Sequence, residues 1–269
     1  MNRFVYEVLG GRVVFGAGAV SEVPAEFDTL GARKVMIIAS GSSIHLADFL
    51  SDQLGDGFAA RIDQVNPPLP IEDVERARSL VVASSSQAVV TIGGGSTIGL
   101  GKNIAIRAPI QHLAIPTTYS GSEMTSIHGV TVGGLKTTGR DPRAKPQTVV
   151  YDPDRSRALP MRVTAGSAMN AAAHCLEALY AEQRNPVKVM ADIAGVLGVA
   201  DPAAGLFEMA VAAGAPSSLT ELGMYEHDLD RAADIVFENP GYNPRPVERG
   251  WIRQLLDDAF LGKRPMTGH

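Results

Sequence analysis

From residue 34 onward the chain alternates between two hydrophobic patterns. Short, nearly continuous apolar runs, KVMIIAS at 34–40, AVVTIG at 88–93, HLAIP at 112–116 and TVVYDP at 148–153, are rich in β-branched residues. Such runs belong to strands buried on both faces of a parallel sheet, where helices cover each side. A further strand is expected near ARIDQV at 60–65. Between these runs apolar positions recur at helical spacing, at about 44–54, at about 71–84 with Pro70 at the start, and from a glycine turn to about 106. The alternation predicts parallel strands joined by helical crossovers, with ligands at the strands' carboxyl ends. Upstream, runs at 4–8 and 12–15 flank Gly10 and Gly11 and predict an amino-terminal hairpin. After residue 153 strand patterns stop, and helices are expected at roughly 164–180, 202–213, 228–237 and 246–260. Residues 1–152 are thus expected to form an α/β domain and residues 153–269 a helical one.

Composition narrows the possibilities. The 269 residues are 45% hydrophobic and 20% charged, which suits a folded protein with a sizeable core. A net charge of -5, with no block of Lys or Arg, argues against a nucleic-acid partner. No stretch is long and apolar enough to span a bilayer, and the amino terminus lacks the apolar core of a leader peptide, so no membrane association is expected. The single cysteine, Cys175, excludes an internal disulfide and fits a cytoplasmic location.

Candidate chemistry begins with VVTIGGGSTIGLGKN at 89–103. The dinucleotide fingerprint G-x-G-x-x-G fails because Ile98 stands where its third glycine belongs, and the P-loop fails at Ser96 and Asn103. What remains is a strand, a glycine turn and a helix. Either its backbone amides approach an anion at the helix's positive end, or it is a tight turn without a ligand. A second loop, IPTTYSGSEMTS at 115–126, brings hydroxyls, a glycine and an acid to the same sheet edge. Ordinary turns and helix caps have that composition too.

Taken together, GGGSTIGLGK and PTTYSGSEMT resemble the iron-containing alcohol dehydrogenase superfamily. The stretches GGLKTTGRDPRAKPQTVVYDP, LPMRVTAGSAMNAAAHCLEALYA and ENPGYNPRPV are similar to its maleylacetate reductase branch. The resemblance implies a Rossmann-like amino-terminal domain with a parallel sheet and an all-α carboxyl-terminal domain, the dehydroquinate synthase-like architecture. It also implies NADH- or NADPH-dependent reduction of the carbon-carbon double bond of maleylacetate to 3-oxoadipate, in aromatic compound degradation. Gly94, Gly95, Ser96 and Thr97 would then cradle the coenzyme pyrophosphate. Thr117, Thr118 and Tyr119 would flank the phosphates and nicotinamide ribose, with Ser122 and Thr125 on the same loop. Asn66 matches an asparagine near the adenosine, although a turn asparagine before prolines reads the same way. Ser40 ends a strand where NAD-preferring relatives often carry an aspartate; without that carboxylate a 2′-phosphate is not repelled.

Asn170 and His174, four residues apart on a predicted helix, share one face. Metal-dependent relatives carry an aspartate and a histidine there. A neutral amide is a poor replacement for a hard anionic ligand, so no metal is expected, and His174 becomes a candidate proton donor or oxyanion stabiliser. Lys136, Arg140 and Arg143 are candidate cations for a dicarboxylate substrate, or solvated surface charges. A block of helices that the family ordinarily carries is absent after about Val187, and beyond His174 the chain offers only His227 and His269. Alternatives are therefore a catalytically impaired nucleotide-binding remnant or a metal-dependent alcohol or polyol dehydrogenase. The hairpin's free strand edges suggest a homodimer.

Overall fold

The computed structural model describes residues 11–157, 159–180, 202–238 and 246–265. Two compact units emerge, residues 7–159 and residues 160–269 with 1–6. The first is built on strands β1 (Arg12–Phe15), β2 (Val35–Ala39), β3 (Phe58–Ile62), β4 (Ala88–Gly93), β5 (Gln111–Pro116) and β8 (Thr148–Tyr151). They pair in parallel in the order β1-β8-β5-β4-β2-β3. Helices α1 (Val23–Thr29), α2 (Ile44–Leu54), α3 (Ile71–Ala83) and α4 (Gly95–Arg107) make the crossovers.

Strand residues alternate between two apolar cores, as a period of two requires. Val35, Ile37 and Ala39 of β2, with Val90 and Ile92 of β4, pack with Phe27 of α1 and Leu50 of α2. Met36 and Ile38 pack on the other side with Val74 and Ala77 of α3 and Leu100 and Ile104 of α4. Each of these isoleucines is fully buried, and burying such a side chain contributes about 1.5–3 kcal/mol. The chain runs from β2 outward to β3 and returns to β4 on the opposite side of β2. That reversal leaves a crevice at the carboxyl ends of β2 and β4, where open α/β sheets take their ligands.

Two elements of this unit were not anticipated from the pattern. Helix α1 starts with Val23 and Pro24 and buries Val23 and Phe27, four apart on one face. Strands β6 (Ile127–Val132) and β7 (Leu135–Arg140) form an antiparallel hairpin separate from the main sheet. Its turn is Gly133–Gly134, with φ of 57° and 79°, the left-handed geometry a two-residue hairpin demands. The first unit runs to Leu159 and takes in the short helix α5 (Pro153–Arg157). Buried Asp152 accepts from the amides of Asp154 at 3.1 Å and Gly18 at 3.2 Å, fastening that helix to the loop after β1.

The expected hairpin strand at 4–8 lies outside the described residues; β1 pairs in parallel with β8. In the second unit every described regular element is helical: α6 (Met161–Tyr180), α7 (Pro202–Ala212), α8 (Leu229–Glu238) and α9 (Arg249–Phe260). Arg249 of α9 ion-pairs with Asp230 and Asp234 of α8. Among the described residues no helix is long and apolar enough to cross a membrane.

Candidate active site

Three strand exits are pinned side by side. The Ser40 amide donates to the Ile92 carbonyl at 2.9 Å and the Thr117 amide to the Gly93 carbonyl at 3.0 Å, aligning the ends of β2, β4 and β5. Gly93, Gly94 and Gly95 turn through this point. A Cβ on Gly93 would stand 2.6 Å from Thr97 Oγ1, and one on Gly94 would stand 3.1 Å from Thr118 Cγ2. The missing side chains let the turn close against the hydroxyl loop. Helix α4 then departs from Gly94, which offers no side-chain acceptor to the first amides, and its first turn contains no acid. The positive end of the helix dipole is thus left for an external anion.

The anticipated coenzyme residues divide by position. Gly94, Gly95 and half-buried Ser96 line the turn, while the buried Thr97 hydroxyl is tucked under Gly93, so what Thr97 can offer an anion is its amide. Thr117 is buried, Thr118 half-buried and Tyr119 exposed. Ser40 Oγ lies 3.2 Å from Ser42 Oγ and 2.9 Å from Ser43 Oγ, a cluster of hydroxyls at the end of β2. Asn66 follows β3, and its amide donates to Asp73 of α3 at 3.0 Å.

Ser122 and Thr125 are engaged from behind by a residue the sequence reading passed over. Lys102 has no exposed surface, and its Nζ donates to the Ser122 carbonyl at 2.7 Å and to Thr125 Oγ1 at 3.1 Å. Burial pushes its pKa down to about 8, opposed by the charge of Glu123. Glu123 is itself buried and accepts from Tyr151 Oη at 2.8 Å; burial, then the Glu123 charge and that hydrogen bond, push the phenol's pKa up. The next helix residue, fully buried Asn103, donates to the Gly129 carbonyl at 2.9 Å and so fastens the β6–β7 hairpin. The signal was available: Lys102 lies on the stripe of Ile98 and Ala105, both buried.

Lys136 and Arg140 sit exposed on β7, and Arg143 is held by Asp141 through a 2.6 Å ion pair. In the helical unit, Asn170 and His174 are both exposed on α6. His227 stacks on Tyr225 at 5.3 Å between ring centroids; His269 and the region around Val187 lie outside the described residues. Among the described residues no group of three or more His, Cys, Asp or Glu side chains could hold a metal ion.

The family Iron-containing alcohol dehydrogenase matches residues 10–153. Maleylacetate reductase of Burkholderia cepacia is 33% identical over 351 aligned positions, covering 98% of this chain and 100% of the relative. That alignment exceeds the 269 residues of the chain, so the relative carries internal positions that this chain lacks. Crystal structures of maleylacetate reductases from Agrobacterium tumefaciens and Rhizobium sp. strain MTP-10005 superpose with TM-scores of 0.87 and 0.86, at 31% and 30% identity. Each comparison covers 98% of this chain and 100% of the other. With the family model matched over residues 10–153 and relatives of this kind 30–33% identical over 98% of the chain, the chain belongs to the iron-containing alcohol dehydrogenase family, within its maleylacetate reductase branch.

Proposed function

We propose that the protein catalyses the NAD(P)H-dependent reduction of maleylacetate to 3-oxoadipate in aromatic compound degradation. The observation that carries this reading is the glycine turn, closed against Thr118 at the switch point and opening onto the amino end of α4. Relatives of the same branch, named for that reaction, support it across 98% of the chain. The coenzyme, when bound, supplies a hydride. Amides at residues 94–97 hold its diphosphate, and the hydroxyls of Thr117 and Thr118 border it. Ser40 and its neighbouring hydroxyls leave room for either NADH or NADPH, since no carboxylate there opposes a 2′-phosphate.

Reduction adds a hydride to the alkene carbon remote from the carbonyl, sends the electron pair to the carbonyl oxygen as an enolate, and requires a proton at the adjacent carbon. His174 is assigned to supply that proton or to donate to the oxygen, with Asn170 as a neutral hydrogen-bonding partner for substrate. Lys136 and Arg140 are assigned to the carboxylates of the substrate. With Asn170 in place of a carboxylate ligand, the reaction needs no resident metal. A homodimer is proposed through β1, the outermost strand among the described residues, where Phe15 is 75% exposed, and a cytoplasmic setting fits the single cysteine.

Incubating the purified chain with maleylacetate and NADH or NADPH tests the proposal: coenzyme is consumed in step with 3-oxoadipate formed. Saturable coenzyme binding with no turnover would leave only a nucleotide-binding protein. Iron retained through purification would overturn the metal-free assignment, and a monomeric mass in solution the dimer.

A further inference from the structure

We infer that Lys102 is a positioning residue for the coenzyme: it holds the loop bearing Thr117, Thr118 and Ser120 at the distance from the glycine turn that binding requires. The inference rests on the reading of that mouth as a nicotinamide coenzyme site. Helix α4 begins at the glycine turn, and Lys102 reaches from its buried face into the second loop. There its ammonium meets the Ser122 carbonyl at 2.7 Å, Thr125 Oγ1 at 3.1 Å and Ser122 Oγ at 3.4 Å. The loop is fastened from its other side by Tyr151 of β8, which donates to Glu123 Oε1 at 2.8 Å. The second carboxylate oxygen of Glu123 is buried without a hydrogen-bond partner among the described residues, so the nearby lysine charge is what compensates it. A neutral Lys102 donates more weakly and leaves Glu123 uncompensated, and the loop then loses its fixed separation from Gly94 and Gly95.

A charge-dependent clamp makes a prediction that a merely space-filling lysine does not. The charged or titratable groups around Lys102 are Glu123 on its loop, His112 on β5 and His128 on β6, with Tyr151 behind Glu123, while Arg107 and Asp141 act on His128. Burial lowers both histidines below their usual range and raises Tyr151 above its own. Lys102, near 8, is therefore the member of this set that titrates in mildly alkaline solution.

The test is fluorescence titration of the whole protein with NADH, which has no group ionising between about pH 7 and about pH 9.5. Wild-type affinity is expected to weaken about tenfold as pH rises through about 8. Lys102→Arg, which keeps its charge, should bind tightly with a flat profile. Lys102→Met should bind about tenfold more weakly at neutral pH, also with a flat profile. Should the Met variant not fold, the wild-type and Arg profiles decide alone. Saturable wild-type binding that is indifferent to pH across this window overturns the inference, as does an Arg variant with the same alkaline loss. No saturable wild-type binding at any pH overturns the coenzyme reading itself.

Discussion

His112 makes the first unit acid-sensitive by a calculable amount. Its ring is fully buried on β5, with Nε2 2.9 Å from Thr91 Oγ1 and Nδ1 buried without a hydrogen-bond partner among the described residues. Burial first, and then the charge of Lys102, push its pKa down to about 3 from an ordinary 6.5. Between those two values the unfolded chain binds a proton that the folded chain refuses. Stability therefore falls as pH drops below about 6.5, at about 1.4 kcal/mol per pH unit, and levels off near pH 3. At about pH 5 the loss from this residue is about 2 kcal/mol. Urea denaturation of the wild type and His112→Gln at about pH 7.5 and about pH 5 isolates it, because the carboxylates common to both proteins cancel. The wild type should lose about 2 kcal/mol more than the variant over that interval. Equal losses, or an imidazole resonance of His112 that titrates near pH 6.5 in the folded protein, would refute the reasoning.

Three further substitutions probe the site and its support. Gly101→Ala places a Cβ 2.5 Å from both His112 Nε2 and Thr91 Cγ2, and should destabilise the protein by about 1–3 kcal/mol, seen as a lowered melting temperature. Gly94→Val puts a branched side chain against Thr118 and over the start of α4; coenzyme affinity should drop at least about tenfold while the far-ultraviolet circular dichroism is unchanged. Ser40→Asp should shift the ratio of kcat/KM for NADPH over NADH downward by about tenfold or more, since a carboxylate there repels the 2′-phosphate; an unchanged ratio would remove Ser40 from the coenzyme's surroundings.

The sheet was legible in the sequence because its central strands are buried on both faces: β4 is AVVTIG, and all its residues are inside. The hairpin strand β7 was harder to see. LKTTGR is exposed or half-exposed throughout, with polar residues at most positions, so no apolar alternation marks it. The glycine turn and the hydroxyl loop announced themselves by composition, but their closure on one another depends on strand order, which local pattern does not encode. Lys102 illustrates the same gap. Its partners stand 20 and 23 residues farther along, and an isolated lysine in a helix ordinarily reads as a solvated charge. Ser122 and Thr125 stand out in the sequence as coenzyme candidates, whereas their contact with this lysine leaves no local mark.

Helix α4 also works as a ruler. About two helical turns separate the glycine turn from Lys102 and Asn103, and these adjacent residues grip two different pieces of chain, the 122–125 loop and the β6–β7 hairpin. One residue inserted or removed in that interval would rotate both grips by about 100° and release both together. Length variation among descendants of this chain should thus be barred between Gly95 and Lys102 and tolerated at the Gly133–Gly134 tip, where an added Cβ would meet nothing within 4 Å.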